Sequence, residues 1–485
     1  MKSFSSEAGA LFIANRWEKP ACGESIAVVD PSSGQEFTRI ARGGAADVDR
    51  AVAAARRAFE GAWSKLAPYE RGRLLMKMSR SILEHREALA ALESRDCGKP
   101  VKQAKNDVAF CARYFEFYAG ACDKVHGETL PAAPGMTVLT LREPFGVTGH
   151  IIPWNYPLQI FARSVGGSLA AGNACVVKPA EDACLSLLAL AELSAEAGFP
   201  EGALNIVPGY GREAGAALAA HPGIDHISFT GSAATGTEVA QAAAVHHHPV
   251  TLELGGKSPQ VVFADADFDA MLPVIVNAAI QNAGQTCSAG TRLLIEANAY
   301  DEVLARVGAA FRALRVGPSE ADLDVGPLIR KSQLERVLGF LELAKKDGLK
   351  VAAQGSVEAK AHASGGYYVA PTLLADVPVE HRIAQEEVFG PVLAAMRFAS
   401  EDEALRLANA TRYGLTAGVW TRDGARQLRV ARGIRSGQVF VNNYGAGGGV
   451  ELPFGGMKSS GHGREKGMDG LYSFTQLKTI AIKHD

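Results

Sequence analysis

The chain has 485 residues, a formal net charge of −2 at pH 7, 47% hydrophobic residues and 21% charged residues. A nearly neutral chain gives no electrostatic reason to expect a nucleic acid or an acidic membrane surface as a partner. The composition is typical of a soluble globular protein, and the length predicts two or three domains.

The seven cysteines are irregularly spaced and include no CxxC pair, which favours reduced thiols over a disulfide framework or a zinc ribbon. The N-terminus lacks the layout of a signal peptide, and no apolar run reaches the ~18 residues of a membrane helix. We therefore expect a cytoplasmic protein. We do not expect a metal site at His246-His247-His248, because adjacent side chains point in different directions and no fourth ligand is evident.

The first part of the chain is predicted to be mainly helical. Apolar residues recur at helical spacing over residues 45–86, Gly98-Lys99-Pro100 is a helix stop, and a second amphipathic helix is predicted over residues 101–121. Residues 136–141 form a strand-like run that follows prolines and a glycine, and this run could extend out of the first domain.

From residue 145 onward, short apolar strands alternate with helices. Strands are predicted at 146–153, 174–179, 203–209 and 226–231, with helices at 185–197 and 213–220. A second series of strands is predicted at 258–263, 368–374, 419–421 and 437–442. This alternation is typical of βαβ units, so the predicted fold class is α/β with parallel sheets and a domain boundary near Gly255-Gly256.

Cys287 follows the polar run Gln281-Asn282-Ala283-Gly284-Gln285-Thr286, directly after an apolar helical segment. A structural cysteine usually lies among aliphatic residues, whereas a nucleophilic cysteine needs an approachable loop with hydrogen-bond donors. Glu253 lies between two leucines and before a double glycine, which is an unusual setting for a carboxylate. A thiol and a potential general base in these settings indicate covalent catalysis.

Four further motifs are weak when each is taken alone. Gly231-Ser232 between a strand and a helix, Lys178-Pro179-Ala180-Glu181 after a strand, Pro153-Trp154-Asn155-Tyr156-Pro157, and Glu386-Glu387-Val388-Phe389 could each be an ordinary turn. In the functional alternative, Gly231-Ser232 would bind a pyrophosphate at a helix N-terminus, and Lys178 and Glu181 would hydrogen-bond a ribose. The Asn155 amide would stabilise an oxyanion, and one acid of Glu386-Glu387 would contact a second ribose.

These four motifs, together with Leu252-Glu253-Leu254-Gly255-Gly256-Lys257, Gly284-Gln285-Thr286-Cys287 and Pro453-Phe454-Gly455-Gly456, resemble the aldehyde dehydrogenase superfamily, and all seven occur along the chain in the order of the family. The resemblance implies a Rossmann-type cofactor domain (residues 1–125 and 145–255) and an α/β catalytic domain (256–465). It also implies a small β oligomerisation segment (126–144 and 466–485). A homodimer or homotetramer is implied.

The resemblance also implies roles for individual residues. Cys287 would attack an aldehyde to form a thiohemiacetal, and Asn155 would stabilise the oxyanion. Glu253 would activate the water that hydrolyses the thioester. Lys178 is also expected to be a catalytic residue. The cofactor would be NAD rather than NADP, since a carboxylate at Glu181 would repel a 2′-phosphate. The implied cofactor-binding residues are Ile152, Trp154, Lys178, Glu181, Gly211, Thr230, Gly231, Ser232, Glu387 and Phe389.

By analogy with the family, the substrate-binding residues are Tyr156, Gln159, Arg163, Gln281, Thr286, Ser288, Tyr444 and Phe454. Family members that oxidise succinate semialdehyde are similar in having an arginine at the position of Arg163, but they commonly carry a second arginine where this chain has Gln281. We therefore hypothesise an aldehyde with a polar or carboxylate end. The alternative is that Arg163 makes an internal salt bridge and the enzyme accepts aliphatic and aromatic aldehydes broadly.

Other functions fit the sequence less well. A CoA-acylating or phosphorylating enzyme would not need Glu253, and a cysteine hydrolase would usually show a paired histidine motif. A non-catalytic binding protein with the same fold should typically have lost Cys287 or Glu253, and both are present. The sequence leaves open the aldehyde itself, the role of Glu465 and the role of the Gly445–Gly449 loop.

Overall fold

The computed structural model describes residue 4, residues 9–445 and residues 449–484. The α-helices in these ranges are α1 (Ala45–Glu60), α2 (Pro68–Glu84), α3 (Arg86–Cys97), α4 (Val101–Ala121), α5 (Pro157–Ala171), α6 (Leu185–Ala197), α7 (Ala216–Ala219), α8 (Ala233–Ala244), α9 (Phe268–Ile280), α10 (Tyr300–Ala313), α11 (Lys331–Lys346), α12 (Ala359–Ala363), α13 (Arg382–Gln385), α14 (Glu401–Ala408), α15 (Gly424–Gly433) and α16 (Gly467–Tyr472).

The strands are β1 (Leu11–Ile13), β2 (Arg16–Glu18), β3 (Ser25–Asp30), β4 (Gln35–Ala41), β5 (Thr129–Leu130), β6 (Met136–Pro144), β7 (Val147–Ile152), β8 (Ala174–Pro179), β9 (Leu204–Ile206), β10 (His226–Thr230), β11 (Val250–Glu253), β12 (Pro259–Val262), β13 (Arg292–Glu296), β14 (Arg315–Val316), β15 (Lys350–Gln354), β16 (Ser356–Val357), β17 (Thr372–Ala375), β18 (Val392–Phe398), β19 (Thr416–Trp420), β20 (Gln438–Val441), β21 (Gly461–His462) and β22 (Thr475–Lys483).

The first large sheet has eight strands in the order β2-β1-β9-β8-β7-β10-β11-β21. Its central strands β9, β8, β7, β10 and β11 are parallel. On one side of β7 the sheet continues with β8 and then β9, and on the other side it continues with β10 and then β11. The order in which strands are added therefore reverses between β7 and β10. A reversal of this kind leaves a crevice at the carboxyl ends of the strands, where α/β sheets bind ligands.

The second large sheet has seven strands in the order β15-β17-β18-β13-β12-β19-β20. All neighbours in it are parallel except β15 and β17. Each sheet has its own apolar core, the first built mainly from residues before 255 and the second from residues 261–434. The chain is therefore α/β with mixed, mainly parallel large sheets, which confirms the fold class predicted from the alternation of strands and helices.

The third sheet is antiparallel and joins distant parts of the chain. β22 near the C-terminus pairs with β6 over its whole length, and β5 pairs with the other edge of β6. Leu477 and Ile482 on β22 are exposed. The proposed oligomerisation segment therefore contains one continuous sheet, although its role in self-association stays a prediction.

Several element boundaries differ from those predicted. The segment over residues 45–86 contains α1 and α2 with a break between them, since Pro68 occupies the first turn of α2 and starts a new helix. The strand predicted at 368–374 begins only at Thr372, where pairing with β18 starts. Strands β1 to β4 lack a strong local pattern and are defined by their pairing.

The proposed domain division at 255 falls between β11 and β12, which belong to different sheets. Residues 461–462 nevertheless return to the first sheet, where β21 pairs with β11. The assignment of residues 256–465 to one domain stays a prediction. Within the described ranges, none of the helices combines the length and the apolar character that a membrane span requires.

Candidate active site

Cys287 lies in a loop whose backbone is held in an unusual conformation after α9. Asn282, Ala283 and Gly284 all have positive φ angles, of 50°, 55° and 73°. A Cβ atom on Gly284 would lie 2.3 Å from the Gly390 carbonyl, so only glycine fits there. The Gln285 side chain closes the loop by donating to the Asn282 carbonyl (3.0 Å) and accepting from the Ile329 N–H (3.0 Å). The loop is therefore built to hold Cys287 in one place.

The thiol of Cys287 is partly buried in the wall of a cavity. Burial raises the pKa of Cys287 to about 12, and the positive charge of Arg163 opposes that rise. The resting thiol is therefore protonated, and a base must remove its proton before it can act as a nucleophile.

Asn155 follows β7 and lies beside Cys287, since both residues line the same two cavities. Its side-chain amide donates to the Gln285 carbonyl at 3.0 Å, which leaves its second N–H for another acceptor. The carbonyl of Asn155 accepts from the Lys99 ammonium (3.0 Å) and from the Asn282 amide (2.9 Å). Hydrogen bonds to both its side chain and its main-chain carbonyl therefore fix the position of Asn155.

Glu253 is the last residue of β11 and is only 1% exposed. Neither carboxylate oxygen has a hydrogen-bond partner among the described residues, which is costly for a buried polar group. Burial raises the pKa of Glu253 well above its usual range, with the Arg163 charge opposing. A protonatable carboxyl group with free oxygens suits a general base that exchanges protons with water.

The first cavity contains every residue proposed for substrate binding, together with Asn155 and Cys287. Its volume is about 730 Å³, including its open mouth. Gly445, from the loop whose role the sequence leaves open, also lines it. Sequence reasoning missed five further lining residues, which are Tyr114, Ile160, Val274, Asn277 and Ala278. Only their helical position relative to the cavity identifies these residues, since no local motif marks them. Of the Gly445–Gly449 loop, residues 446–448 lie outside the described residues.

Arg163 is 7% exposed and forms a buried ion pair with Glu465. It also donates to the Thr230 hydroxyl at 3.3 Å, and its guanidinium lies 4.8 Å from the centre of the Phe454 ring. Glu465 accepts a second hydrogen bond from the Ser228 hydroxyl (2.7 Å). The internal salt bridge that the sequence left as an alternative is therefore present, although Arg163 still borders the cavity.

The second cavity shares Asn155 and Cys287 with the first and continues along the crevice of the first sheet. Together with an adjoining cavity, it is lined by every residue proposed for cofactor binding. The Lys178 ammonium contacts the Glu181 carboxylate at 2.9 Å in the outer part, and the Trp154 and Phe389 rings meet edge to face in the inner part. An elongated cleft that ends at a thiol fits a dinucleotide whose reactive end faces Cys287.

Glu387 lies at the inner end of this cleft. Its carboxylate accepts a hydrogen bond from the Gly256 N–H at 3.0 Å, and burial raises its pKa to about 7. A Cβ atom on Gly255 would lie 2.3 Å from the Glu387 carboxylate. The double glycine therefore makes room for this carboxylate.

The sequence profile of the aldehyde dehydrogenase family matches residues 17–480. The chain is a member of the aldehyde dehydrogenase family. An aldehyde dehydrogenase of Emericella nidulans is 42% identical over 472 residues, covering 97% of this chain and 94% of the relative. Cytosolic aldehyde dehydrogenase 1 of Mus musculus is 42% identical over 478 residues, covering 98% and 94%.

Solved structures of the family agree with the fold. A crystal structure of a protein from Burkholderia cenocepacia, assigned to the aldehyde dehydrogenases, has a TM-score of 0.97 and 67% identity, covering 98% of this chain and 100% of its own. The NAD⁺ complex of an aldehyde dehydrogenase from Bacillus cereus has a TM-score of 0.96 and 38% identity, covering 99% and 98%. The family assignment makes this chain an oxidoreductase that acts on aldehydes.

In this aldehyde dehydrogenase, a group of charged residues lies behind the active site, and the sequence does not predict it. Lys99 was interpreted only as part of a helix stop, yet it is 1% exposed and contacts the Asn155 carbonyl. A lysine beside a proline at a helix end carries no sign of burial, so no sequence signal could have identified it.

Proposed function

We propose that this protein oxidises an aldehyde to the carboxylic acid with NAD, through a covalent intermediate on Cys287. The observation that carries the proposal is the position of Cys287 between the two cavities, one fitted to a small substrate and one to a dinucleotide. A thiol at this junction can bind the aldehyde carbon while that carbon faces a hydride acceptor.

In the first step, water in the cavity takes the proton of the Cys287 thiol, and the resulting thiolate adds to the aldehyde carbon. The negative charge that develops on the aldehyde oxygen would be stabilised by the second N–H of the Asn155 amide and by the Cys287 N–H. The tetrahedral carbon then releases hydride and becomes a thioester. When bound in the cleft, NAD supplies the hydride acceptor.

Glu253 would complete the reaction. Its carboxylate takes a proton from water, the water oxygen attacks the thioester carbon, and the Cys287 thiolate leaves as the acid forms. The unpartnered oxygens of Glu253 support this role, because a carboxylate that already held fixed partners could not bind and deprotonate a water. Its raised pKa makes it a stronger base once it is ionised.

NAD is favoured over NADP as the cofactor. Lys178 and Glu181 line the outer part of the cleft, where the adenosine ribose would lie, and the Glu181 carboxylate would repel a 2′-phosphate. The Bacillus cereus relative was solved as an NAD⁺ complex. We also propose a cytoplasmic location, with which the cytosolic mouse relative agrees.

The substrate we propose is an uncharged aliphatic or aromatic aldehyde. The ion pair of Arg163 with Glu465 supports this alternative over a semialdehyde, since the guanidinium already has a carboxylate partner. The aromatic rings of Tyr114, Tyr156 and Phe454 offer apolar contacts in the same cavity.

The decisive test is NADH absorbance after mixing NAD with an aldehyde in the absence of CoA and phosphate. Hexanal and benzaldehyde should give a higher kcat/KM than succinate semialdehyde, and Arg163→Ala should not selectively reduce the semialdehyde rate. A selective loss would restore the carboxylate-binding hypothesis. No NADH from a broad aldehyde panel with Cys287 intact would reject the proposed reaction in favour of a non-catalytic binding protein.

A further inference from the structure

A buried cluster of charged residues lies behind the active site, where α3, α4 and α6 meet. The Lys99 ammonium contacts the carboxylates of Asp107 (2.5 Å) and Glu93 (3.2 Å), and all three side chains are almost fully shielded from water. The Ser186 hydroxyl on α6 donates to Glu93 at 2.7 Å. Such a cluster is costly to bury, and apolar residues of similar volume would stabilise a core at least as well.

The charge state of the cluster is set by its carboxylates. Burial disfavours the charged form of Lys99, but the negative charges of Asp107 and Glu93 outweigh this effect and raise the pKa of Lys99 well above its usual value. Burial also raises the pKa of Glu93. Lys99 therefore stays charged and retains three N–H donors with fixed directions.

The third partner of Lys99 lies in the active site. Its ammonium donates to the Asn155 carbonyl at 3.0 Å and lies 4.4 Å from the centre of the Tyr156 ring. The Asn282 amide donates to the same carbonyl at 2.9 Å. Lys99 thus links α3 and α4 to the residue whose side chain would bind the oxyanion.

A second contact from the cluster reaches the substrate cavity. Asp107 accepts a hydrogen bond from the Gln159 amide at 2.7 Å, and Gln159 lines that cavity. Each carboxylate oxygen of Asp107 has its own donor, since one binds Gln159 and the other binds Lys99. The cluster therefore supports the Asn155 loop and the neighbouring cavity wall together.

We propose that Lys99 is a positioning residue, whose ammonium fixes the Asn155 backbone so that the Asn155 amide meets the developing oxyanion. This inference rests on the proposed function. Its consequence is specific: loss of Lys99 should impair the chemical step through Asn155, while the cofactor cleft, which Lys99 does not line, should bind NAD as before.

The test is a double-mutant cycle that combines Lys99→Met with Asn155→Ala, measured by NADH formation from hexanal. Lys99→Met alone should lower kcat about 10- to 100-fold, because a small displacement of an oxyanion donor has effects of this size. The KM for NAD should change by no more than about twofold. In the Asn155→Ala background, Lys99→Met should lower kcat by no more than about a further twofold.

Equal fold losses in both backgrounds would overturn the role of Lys99, because a residue that acts through Asn155 cannot act in its absence. The control is Ser186→Ala, which removes a hydrogen bond from the far side of the cluster without touching Asn155. It should lower the Tm and leave kcat unchanged. A loss of kcat as large as that of Lys99→Met would show a general effect of destabilisation and would also overturn the inference.

If Lys99→Met does not fold, Asp107→Asn takes its place in the cycle. The side-chain oxygen of the new asparagine can still accept the hydrogen bond from Gln159. Its NH₂ group replaces the carboxylate oxygen that accepts from Lys99, so Lys99 loses one acceptor. Asp107→Asn should likewise lower kcat in the parent enzyme and have little further effect on kcat in the Asn155→Ala background, and equal losses in both backgrounds would again overturn the role of Lys99. An inactive parent enzyme would reject the proposed function, whereas an active parent with additive losses would reject only the role of Lys99.

Discussion

Arg163 and Glu465 form an ion pair that is shielded from solvent on the wall of the cavity that contains Cys287. The two residues are far apart in the sequence, on α5 and just before α16. Burial raises the pKa of both Cys287 and Glu253, and the positive charge of Arg163 opposes this rise, whereas the Glu465 carboxylate adds to it at Glu253. A residue that resembles a substrate-carboxylate anchor therefore already has an internal carboxylate partner.

Glu465→Gln should change the preference of the enzyme between aldehydes. The substitution keeps the side-chain shape but leaves the Arg163 charge unpaired, so a substrate carboxylate can replace the lost partner. The ratio of kcat/KM for succinate semialdehyde to that for hexanal should rise about tenfold, the value of one charge-assisted hydrogen bond. Ser228→Ala is the control, since it removes another Glu465 contact without freeing Arg163. An unchanged ratio would contradict the prediction.

Glu253→Gln should separate the two halves of the reaction. Hydride transfer does not require the water-activating base, so a rapid burst of about one NADH per active site should persist. Steady-state turnover should fall about 10²- to 10⁴-fold, because thioester hydrolysis loses its general base. Stopped-flow absorbance measures both phases. Cys287→Ser should abolish the burst, whereas Cys22→Ser, at an exposed cysteine, should change neither phase. Loss of the burst in Glu253→Gln would instead assign Glu253 to thiol deprotonation.

Turnover should increase with pH from about pH 6 to about pH 9. The sign follows from the two raised pKa values: Glu253 must be ionised to accept a proton, and Cys287, with a pKa of about 12, must lose one. Both deprotonated forms become more abundant as the pH rises. A steady-state pH profile checks this, and the residual turnover of Glu253→Gln should depend on pH less steeply. A profile that falls through this range would contradict the assignment.

Gly255→Ala should weaken NAD binding without disabling the thiol. The added Cβ would lie 2.3 Å from the Glu387 carboxylate and must displace it from the inner end of the cleft. The KM for NAD should rise about tenfold, a typical effect of displacing one charged hydrogen-bond group. The rate of Cys287 alkylation by iodoacetamide should stay the same. Gly339→Ala, where the added Cβ meets no atom within 4 Å, is the matched control.

Leu477→Asp should reduce self-association. Leu477 is 59% exposed on β22, the edge strand of the three-stranded sheet, and an exposed apolar edge favours pairing with another chain. Light scattering after size-exclusion chromatography should show a smaller assembly than the parent dimer or tetramer. Leu428→Asp, at a residue that is 63% exposed on α15, should leave the assembly intact. A monomeric parent would contradict the proposed homo-oligomer.

Local patterns were enough to predict the central strands of the first sheet. Strands β7, β8 and β10 are buried along their whole length, and each combines apolar residues with a proline or a glycine at or just after its end, which separates it from the helices around it. Strands β1 and β2 are only three residues long, and β2 to β4 are partly exposed, so these strands are defined by their pairing, β1 with β2 and β9, and β3 with β4. The break between α1 and α2 was missed because helical spacing continues on both sides of it.

By itself, the sequence determined the α/β class, the family and the side chains around Cys287. These follow from residues that lie in short motifs, where a glycine, a proline or a polar loop carries its own physical meaning. Only the tertiary structure decided the partners of those side chains. Arg163 meets Glu465, and Lys99 meets Asn155, because separate helices and loops converge behind one cavity. No local pattern encodes such a contact, since it depends on how distant elements pack.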